Sequence, residues 1–278
     1  MLTGGGAKGA WEAGAAAMLI ERGVAVRLVA GSSAGALTAT MLADGRLDRL
    51  ESLWSTVTRD QVYALRPGVF FAGLLPGWLT LLALNGAGSL LDPAPLRELI
   101  TASVDLDRVR ASPMRLLIVT ADLAHRTPRV FDNASVTVDA LMASSAVPGA
   151  FPPVAIGDGA LVDGGIIARA PVLEALAAGV PLRRALVLLS YAAEEAGRAP
   201  TNLRRTLEEA FEMAMVHQIR RDTELARYRH PDVDIQVLAP AAPLGLRPLE
   251  LEPGRMAEAF ARGRTDALRC LERWQVPS

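Results

Sequence analysis

The sequence contains very little cysteine and histidine. Its 278 residues include one cysteine, Cys270, and three histidines. A single cysteine excludes a disulfide within the chain, and so few potential ligands argue against a structural zinc site. Cys270 stands in a predicted helix near the carboxyl end, where we expect it to be packed rather than reactive. We therefore expect no metal site.

The chain also has no excess of charge of either sign. Its 29 basic and 30 acidic residues give a net charge of −1, so we expect no broad basic field and no nucleic-acid partner. Hydrophobic residues make up 51% of the chain, which is enough for a large core and excludes global disorder. At this length we expect one α/β domain over residues 1–278.

The sequence also shows no pattern typical of a secretory signal or of a membrane-spanning helix. The first residues lead directly into glycines without a basic or apolar region, so we expect no secretory signal and a cytoplasmic protein. The longest apolar window runs from Val69 to Leu91. A spanning helix needs about 20 predominantly apolar residues, and this window is interrupted by glycine and proline at residues 73, 76, 77, 86 and 88.

The same window, residues 69–91, has two interpretations. It is either a core segment under an irregular loop or a mobile wall of an acyl-chain site that touches a membrane surface transiently. Trp78 suits the second interpretation, because its ring is apolar and its N–H is polar.

Strand-like and helix-like segments alternate along the chain. This alternation predicts an α/β fold with a mostly parallel central sheet and helices on both faces. The predicted strands are residues 24–30, 114–121, 160–162, 185–190 and 233–238. The predicted helices are residues 10–22, 34–43, 47–57, 95–104, 139–146, 171–178, 203–229 and 254–274.

A G-x-S-x-G motif follows the first predicted strand and opens a helix. In this setting the motif predicts a nucleophile elbow, a sharp turn that exposes Ser33. The helix N-terminus directs backbone N–H groups and a positive dipole end at developing negative charge. An ordinary tight turn is the alternative. The remaining motif positions are small residues that let a substrate approach: Gly31, Ala34 and Gly35.

A glycine cluster lies upstream and supplies further candidate N–H donors. We expect an oxyanion hole from Gly4, Gly5, Gly6, Lys8 and Gly9, of which Lys8 is the only lysine in the chain. The cluster also fits the dinucleotide fingerprint, but only residues 1–3 precede it and Arg27 stands near the place of the usual acid. An arginine there suits NADP, so an NADP-binding oxidoreductase remains an alternative. A P-loop is excluded, because glycine follows the lysine.

The base for Ser33 is predicted to be a carboxylate. His125 stands in a predicted loop, His217 lies inside a long predicted helix, and His230 follows the end of that helix. We expect structural roles for all three histidines. Asp163 follows a short strand, and Gly164 and Gly165 leave space around it at a strand end, where α/β sheets place their ligands. Asp158 is the nearest rival and is flanked by turn residues.

At this point the chain resembles a known family. Residues 4–9, 31–35 and 163–165 look like the three signatures of patatin-like phospholipases in the same order, and residues 120–123 and 143–153 are also similar to that family. The likeness covers residues 2–172. It implies a three-layer α/β sandwich and hydrolysis of lipid acyl esters without a cofactor, by a Ser33–Asp163 dyad and an oxyanion hole around Gly5 and Gly6.

Two departures from the family pattern are visible. The family usually has a fuller strand before the glycine cluster. After the Asp-Gly-Gly it often has an asparagine shortly before a proline, where this chain has Ala168-Arg169-Ala170-Pro171. A catalytically silent protein of the same fold is a further alternative, against which the intact Ser33 and Asp163 argue.

Overall fold

The computed structural model describes residues 1–66, 89–192 and 202–273. The helices are α1 Gly9–Glu21, α2 Ala34–Asp44, α3 Leu47–Thr56, α4 Ala94–Ser103, α5 Leu106–Ala111, α6 Val138–Ser144, α7 Val172–Leu176, α8 Leu203–Arg229 and α9 Pro253–Arg273. The strands are β1 Leu28–Gly31, β2 Ala64–Leu65, β3 Leu91–Asp92, β4 Arg115–Asp122, β5 Thr127–Asp132, β6 Val154–Ile156, β7 Gly159–Asp163, β8 Arg184–Leu188 and β9 Asp234–Leu238.

The central sheet is parallel over most of its width. β1 runs parallel to β4, and β8 runs parallel to β9. Leu2 joins the two pairs, because it forms parallel bridges to Gly31 and to Leu188. In this sheet β4 also pairs antiparallel with β5 and with β7, and β6 and β7 form an antiparallel hairpin. Outside this sheet, β2 and β3 form a separate antiparallel pair. The predicted α/β fold with a mostly parallel sheet is confirmed.

Both faces of the sheet are covered by helices, as predicted. Successive strand residues point to opposite faces, and the core divides accordingly. Val29 of β1 packs into a cluster with residues of α1, α2 and α9, whereas Leu28 and Ala30 pack with Ala175 of α7. On β8, Val187 packs in a cluster that includes Ile219 of α8. Burial on both faces explains the continuous apolar runs of β1 and β4.

Helix α1 crosses α9 at very short distance and is buried from Gly9 to Leu19. A Cβ atom at Gly14 would overlap the carbonyl of Phe260, and one at Gly263 would overlap the carbonyl of Trp11. The buried Trp11 indole also donates to Asp266 Oδ2 at 3.0 Å. Since the glycine cluster leads directly into α1, this crossing fixes the position of the cluster.

Several elements differ from the sequence prediction. The predicted strand at residues 24–30 begins only at Leu28. The short strands β2, β3, β5 and β6 and the helix α5 were not predicted. β5 contains Pro128, which has no backbone N–H to donate to a neighbouring strand. Proline is therefore tolerated in a strand only at a position where no such hydrogen bond is needed, as at the edge of a sheet. β6 is three residues long and follows two prolines, so it has too few residues for a periodic pattern.

Most of the 69–91 window, including Trp78, lies outside the described residues, so both of its interpretations stay predictions. Leu91 is described and begins β3. In the part of the chain that the structure covers, no helix has both the length and the apolar character needed to cross a membrane.

Candidate active site

Ser33 occupies a strained turn between β1 and α2. Its φ of 56° and ψ of −134° lie in a region that residues with a side chain rarely adopt, at a cost of about 1–3 kcal/mol. The Ser33 N–H donates to the carbonyl of Ser144 at 3.0 Å and to its hydroxyl at 3.1 Å. The hydroxyl of Ser32 donates to the carbonyl of Arg169 at 2.8 Å. The turn, residues 31–35, is called the elbow below.

The elbow is in contact with the glycine cluster, residues 4–9, which is called the glycine loop below. A Cβ atom at Gly35 would lie 2.7 Å from the carbonyl oxygen of Leu2 and 2.9 Å from the amide nitrogen of Gly4. Only a residue without a side chain fits this approach of two backbones. The structure therefore brings together the two motifs that the sequence separates by about 30 residues.

The backbone of the glycine loop turns through three positive φ angles, of 70° at Gly4, 114° at Gly5 and 59° at Gly6. At Gly6 a Cβ atom would overlap the carbonyl of Pro248, and the same carbonyl accepts the N–H of Ala7 at 2.8 Å. The loop is thus held from outside by the segment before α9.

The N–H groups of the glycine loop differ in what they can still bind. The Gly4 N–H donates to Glu12 Oε2 at 3.0 Å, the Lys8 N–H donates to the Gly5 carbonyl at 3.3 Å, and the Gly9 N–H donates to carbonyls of its own turn. Within the described residues, the amides of Gly5 and Gly6 donate no hydrogen bond. Three of the five expected oxyanion donors are therefore already paired. The Gly4 N–H is bound to buried Glu12, and the N–H groups of Lys8 and Gly9 are bound to backbone carbonyls within the tight turn.

Lys8 and Gly9 have packing environments of their own. The Lys8 ammonium lies 3.6 Å from Glu212 Oε1 of α8 and 3.8 Å from the ring centre of Tyr191, and the residue is 3% exposed. A Cβ atom at Gly9 would lie 2.9 Å from Trp54 Cη2 and 3.2 Å from Ala34 Cβ. The Lys8 side chain therefore ties the glycine loop to α8, and Gly9 lets α1 pack against α2 and α3.

Asp163 ends β7 and is 2% exposed. Its Oδ1 accepts the Gly165 N–H at 2.7 Å, and its own N–H donates to the carbonyl of Ala146 at 2.9 Å. Oδ2 has no hydrogen-bond partner of ordinary geometry among the described residues. Gly164 lies against the backbone of β4, where a Cβ atom would overlap the Val119 carbonyl.

The pKa of Asp163 is raised, because burial disfavours the charged form. The Arg169 guanidinium, the Gly165 amide and the Ser33 hydroxyl oppose this rise in the pKa. The Ser33 hydroxyl is thus close enough to lower the pKa of Asp163, although no hydrogen bond of ordinary geometry joins the two side chains. The structure thus brings Ser33, Asp163 and the glycine loop to one place.

The other candidate bases lie elsewhere. Asp158 is 86% exposed in its side chain and pairs with His125, which also contacts Asp122. His217 is exposed on α8, and His230 follows the end of that helix. Within the described residues, none of the three histidines contacts Ser33 or Asp163.

Two buried charged residues beside the glycine loop were not predicted as site residues. Glu12 of α1 is fully buried and accepts hydrogen bonds from the Thr3 hydroxyl and the Gly4 N–H. Burial raises the pKa of Glu12 to about 7. The sequence signal was present, since Glu12 is the sole charged residue between Ala10 and Ile20. Arg169, which stands in the stretch 168–171 that lacks the family's asparagine, is 5% exposed.

Ser190 supports the glycine loop from the end of β8. Its hydroxyl donates to the Gly4 carbonyl at 2.7 Å, and the residue is fully buried. No local sequence pattern indicates this contact, because the two residues are 186 positions apart.

No group of three or more His, Cys, Asp or Glu side chains in residues 1–66, 89–192 and 202–273 is arranged to hold a metal ion.

Comparison with known proteins identifies the family. Among solved structures, VipD from Legionella pneumophila is similar with 16% identity and a TM-score of 0.49, over 98% of this chain and 66% of that one, so the chain spans less than two thirds of that protein's length. No curated protein gives a significant match. The sequence profile of the patatin-like phospholipase family matches residues 1–176, which include the glycine loop, the elbow and Asp163. Because this match covers more than half of the chain, the chain belongs to the patatin-like phospholipase family.

Proposed function

We propose that this protein is a serine hydrolase of lipid acyl esters, in which Ser33 is the nucleophile and Asp163 is the general base. The observation that carries the proposal is the buried Asp163 carboxylate, whose Oδ2 lacks a hydrogen-bond partner among the described residues. The hydroxyl of the elbow serine, Ser33, lowers the pKa of this carboxylate. Membership of a family of lipid acyl hydrolases supports the same chemistry.

The first half of the reaction transfers the acyl group to the enzyme. Ser33 Oγ attacks the ester carbonyl carbon while Asp163 accepts the hydroxyl proton, and the carbonyl oxygen becomes an oxyanion. Collapse of this intermediate breaks the bond to the alcohol, which leaves with the proton from Asp163. In the second half water attacks the acyl-serine, Asp163 again takes and returns the proton, and the fatty acid is released.

The oxyanion is stabilised by backbone amides, and we narrow the expected donors to Gly5 and Gly6. Their N–H groups have no partner in the described part of the chain, whereas those of Gly4, Lys8 and Gly9 are paired. Loss of one such donor typically costs about 3–4 kcal/mol of transition-state stabilisation. The fixed backbone of this loop is therefore as important for the rate as the two side chains.

Burial makes Asp163 a stronger base than a carboxylate in water. An exposed aspartate has a pKa of about 4 and is a weak acceptor for a hydroxyl proton. Desolvation raises the pKa of Asp163, which brings its basicity closer to that needed near neutral pH. A dyad without histidine is chemically reasonable on this ground.

The NADP-binding alternative gains no support from the loop. A dinucleotide pyrophosphate needs free N–H groups at the start of the helix after the glycines. Here the Gly4 N–H is bound to the carboxyl group of Glu12 and the Ala7 N–H to the carbonyl of Pro248. The carboxyl group of Glu12 thus already occupies an N–H group that a phosphate would need.

The proposal is tested with a fluorophosphonate probe on the intact protein. We expect the probe to label Ser33, as located by peptide mass spectrometry, and we expect the Ser33→Ala variant to remain unlabelled. Turnover of p-nitrophenyl butyrate should be lost in the same variant. Saturable NADPH binding by a protein that resists labelling would instead support the oxidoreductase, and inertness in both assays would support a silent member of the fold.

The lipid and the mode of access belong to the same proposal. We propose a lipid acyl-ester substrate and a transient contact with the membrane surface through residues 69–91. Substituting Trp78 and Leu82 by serine should spare hydrolysis of soluble short esters and reduce hydrolysis of phosphatidylcholine vesicles. Equal losses on both substrates with a lower melting temperature would assign the segment to the core.

A further inference from the structure

Arg169 is a buried cation with an unusual set of partners. The residue is 5% exposed, and in the described part of the chain it forms no ion pair with a carboxylate. Its Nε has no hydrogen-bond partner among those residues, and Nη1 donates to the thioether sulfur of Met215 at 2.9 Å. A thioether is a weak acceptor. A buried charge with such weak direct contacts needs compensation from its wider surroundings.

The guanidinium lies between the two loops that form the candidate site. A Cβ atom at Gly165 would lie 3.0 Å from Arg169 Nη1 and 2.9 Å from Asp163 Oδ1. A Cβ atom at Gly5 would lie 3.3 Å from Arg169 Nη2 and 3.1 Å from the Ser190 hydroxyl oxygen. The charge therefore borders both the aspartate loop and the glycine loop.

The backbone of Arg169 is also tied to the elbow. Its carbonyl accepts the hydroxyl of Ser32 at 2.8 Å. The same residue thus contacts the glycine loop with its side chain and the elbow with its main chain. This arrangement holds the guanidinium in place although its own hydrogen bonds are few.

Two buried carboxyl groups surround this cation. The positive charge of Arg169 lowers the pKa of Asp163 and of Glu12, and in each case it opposes the larger effect of burial. Lys8 of the glycine loop and Glu212 of α8 pair with each other at 3.6 Å. Arg169 is the cation whose charge opposes the effect of burial on Asp163.

We infer that Arg169 is a positioning residue that keeps the buried Asp163 as a carboxylate, able to take the proton of Ser33. The inference rests on the proposed function, because it concerns the base of that reaction. Burial alone would favour a protonated Asp163, which cannot accept a proton. The guanidinium offsets that effect without forming an ion pair that would occupy the carboxylate oxygens.

The test is the pH dependence of kcat/KM for p-nitrophenyl butyrate in wild type, Arg169→Met and Arg169→Lys. In wild type the acidic limb reports ionisation of the base. We expect this limb to move to higher pH by about one to three units in Arg169→Met, as for loss of a nearby opposite charge. Arg169→Lys retains a positive charge and should keep the limb close to that of wild type.

Two results would overturn the inference. One is an Arg169→Met profile that is lower at every pH with an unshifted acidic limb, which is the mark of a purely structural role. The other is an equal shift in Arg169→Lys and Arg169→Met. If Arg169→Met does not fold, Arg169→Met with Glu12→Gln is measured against Glu12→Gln, and the same shift is expected.

The outcome is separate from that of the proposed function. If Ser33→Ala retains the turnover of wild type, the hydrolase proposal itself is wrong, whatever the Arg169 variants do. If Ser33→Ala is inactive and the acidic limb is unaffected by Arg169, the hydrolase proposal stands and the role of Arg169 is wrong.

Discussion

The hydroxyl of Ser144 accepts the backbone N–H of Ser33 at 3.1 Å and donates its own proton to the carbonyl of Val119 at 2.9 Å. This serine ends α6 and links the elbow to the buried strand β4. Because Ser33 has a strained backbone conformation, its N–H must be held by neighbours that do not move. Ser144 at the end of α6 therefore helps to hold the backbone of the elbow in its strained conformation.

Replacing Ser144 by alanine should loosen that link. The Val119 carbonyl loses a donor, and Ser33 retains only the hydrogen bond to the Ser144 carbonyl. We expect the free energy of unfolding to fall by about 1–2 kcal/mol and kcat/KM to fall about tenfold, measured by urea titration and ester turnover. Ser145→Ala is the matched control and should change neither quantity. Equal effects of the two substitutions would contradict this role.

Ser33 itself offers a test of backbone strain that is independent of chemistry. Ser33→Ala and Ser33→Gly should both lack esterase activity. Glycine adopts the φ and ψ of this position at little cost, whereas alanine keeps the strain of about 1–3 kcal/mol. After the entropy that glycine adds to the unfolded chain, we expect Ser33→Gly to be about 1 kcal/mol more stable than Ser33→Ala in urea. A less stable glycine variant would show that the elbow is not strained.

The assignment of the base is tested by comparing carboxylates and imidazoles. Asp163→Asn should reduce kcat nearly as far as Ser33→Ala, because an amide cannot accept the serine proton. Asp158→Asn, His217→Ala and His230→Ala should retain most activity, since these side chains lie away from Ser33. Steady-state kinetics on p-nitrophenyl butyrate decides the matter. If a histidine variant were as inactive as Ser33→Ala, the proposed Ser–Asp dyad would be wrong and a triad that includes this histidine would be the better model.

Glu12 should make the stability of the protein depend on pH. Its folded-state pKa of about 7 is above the ordinary value of 4.5, so the folded protein binds this proton more tightly than the unfolded chain. The resulting stability is fully present below pH 4.5 and is lost as pH rises to about 7, with a magnitude of about 3 kcal/mol.

The measurement is the free energy of unfolding of wild type and Glu12→Gln between pH 5 and 8. Wild type should lose stability relative to the variant as pH rises. Glu21→Gln is the control: Glu21 pairs with Arg264, which lowers its pKa, so its effect should be constant over this range. A constant difference between wild type and Glu12→Gln would mean that Glu12 does not titrate there.

Gly6→Ala should inactivate the enzyme. The added methyl group would overlap the Pro248 carbonyl and displace the amides proposed to stabilise the oxyanion, for which a loss of about 10²–10³ in kcat is typical. Gly254→Ala is the control, because nothing lies within 4 Å of a Cβ atom there. Full activity of Gly6→Ala would remove this loop from the proposed mechanism.

The sequence predicted the elements whose pattern is local and long. The helix predicted at residues 203–229 has those bounds in the structure, and the buried strand β4 is displaced by one residue. β5 was not predicted because it contains Pro128, and proline is uncommon in strands. β6 was not predicted because its three residues are too few to show an alternating pattern. The glycine loop and Asp163 could be recognised because each motif lies at a predicted turn, the glycine loop before a predicted helix and Asp163 after a predicted strand.

The roles of Glu12, Arg169 and Ser190 could not be predicted in the same way. Each depends on burial by distant parts of the chain, and the sequence of one helix or loop does not reveal what covers it. The same applies to Gly4, whose N–H is paired with a carboxyl group one helical turn into α1. Gly4 is buried, and buried polar groups are normally satisfied by a partner, which a local motif does not reveal.

The contact of the glycine loop with Pro248 and the crossing of α1 with α9 have a consequence for synthesis. Residues 4–9 are synthesised long before Pro248, whose carbonyl holds them, and long before α9, which packs on α1. Contacts this far apart in sequence form late, since loop closure must precede them. The glycine loop therefore reaches its final conformation only after Pro248 and α9 have been made and have packed against residues 4–9 and α1.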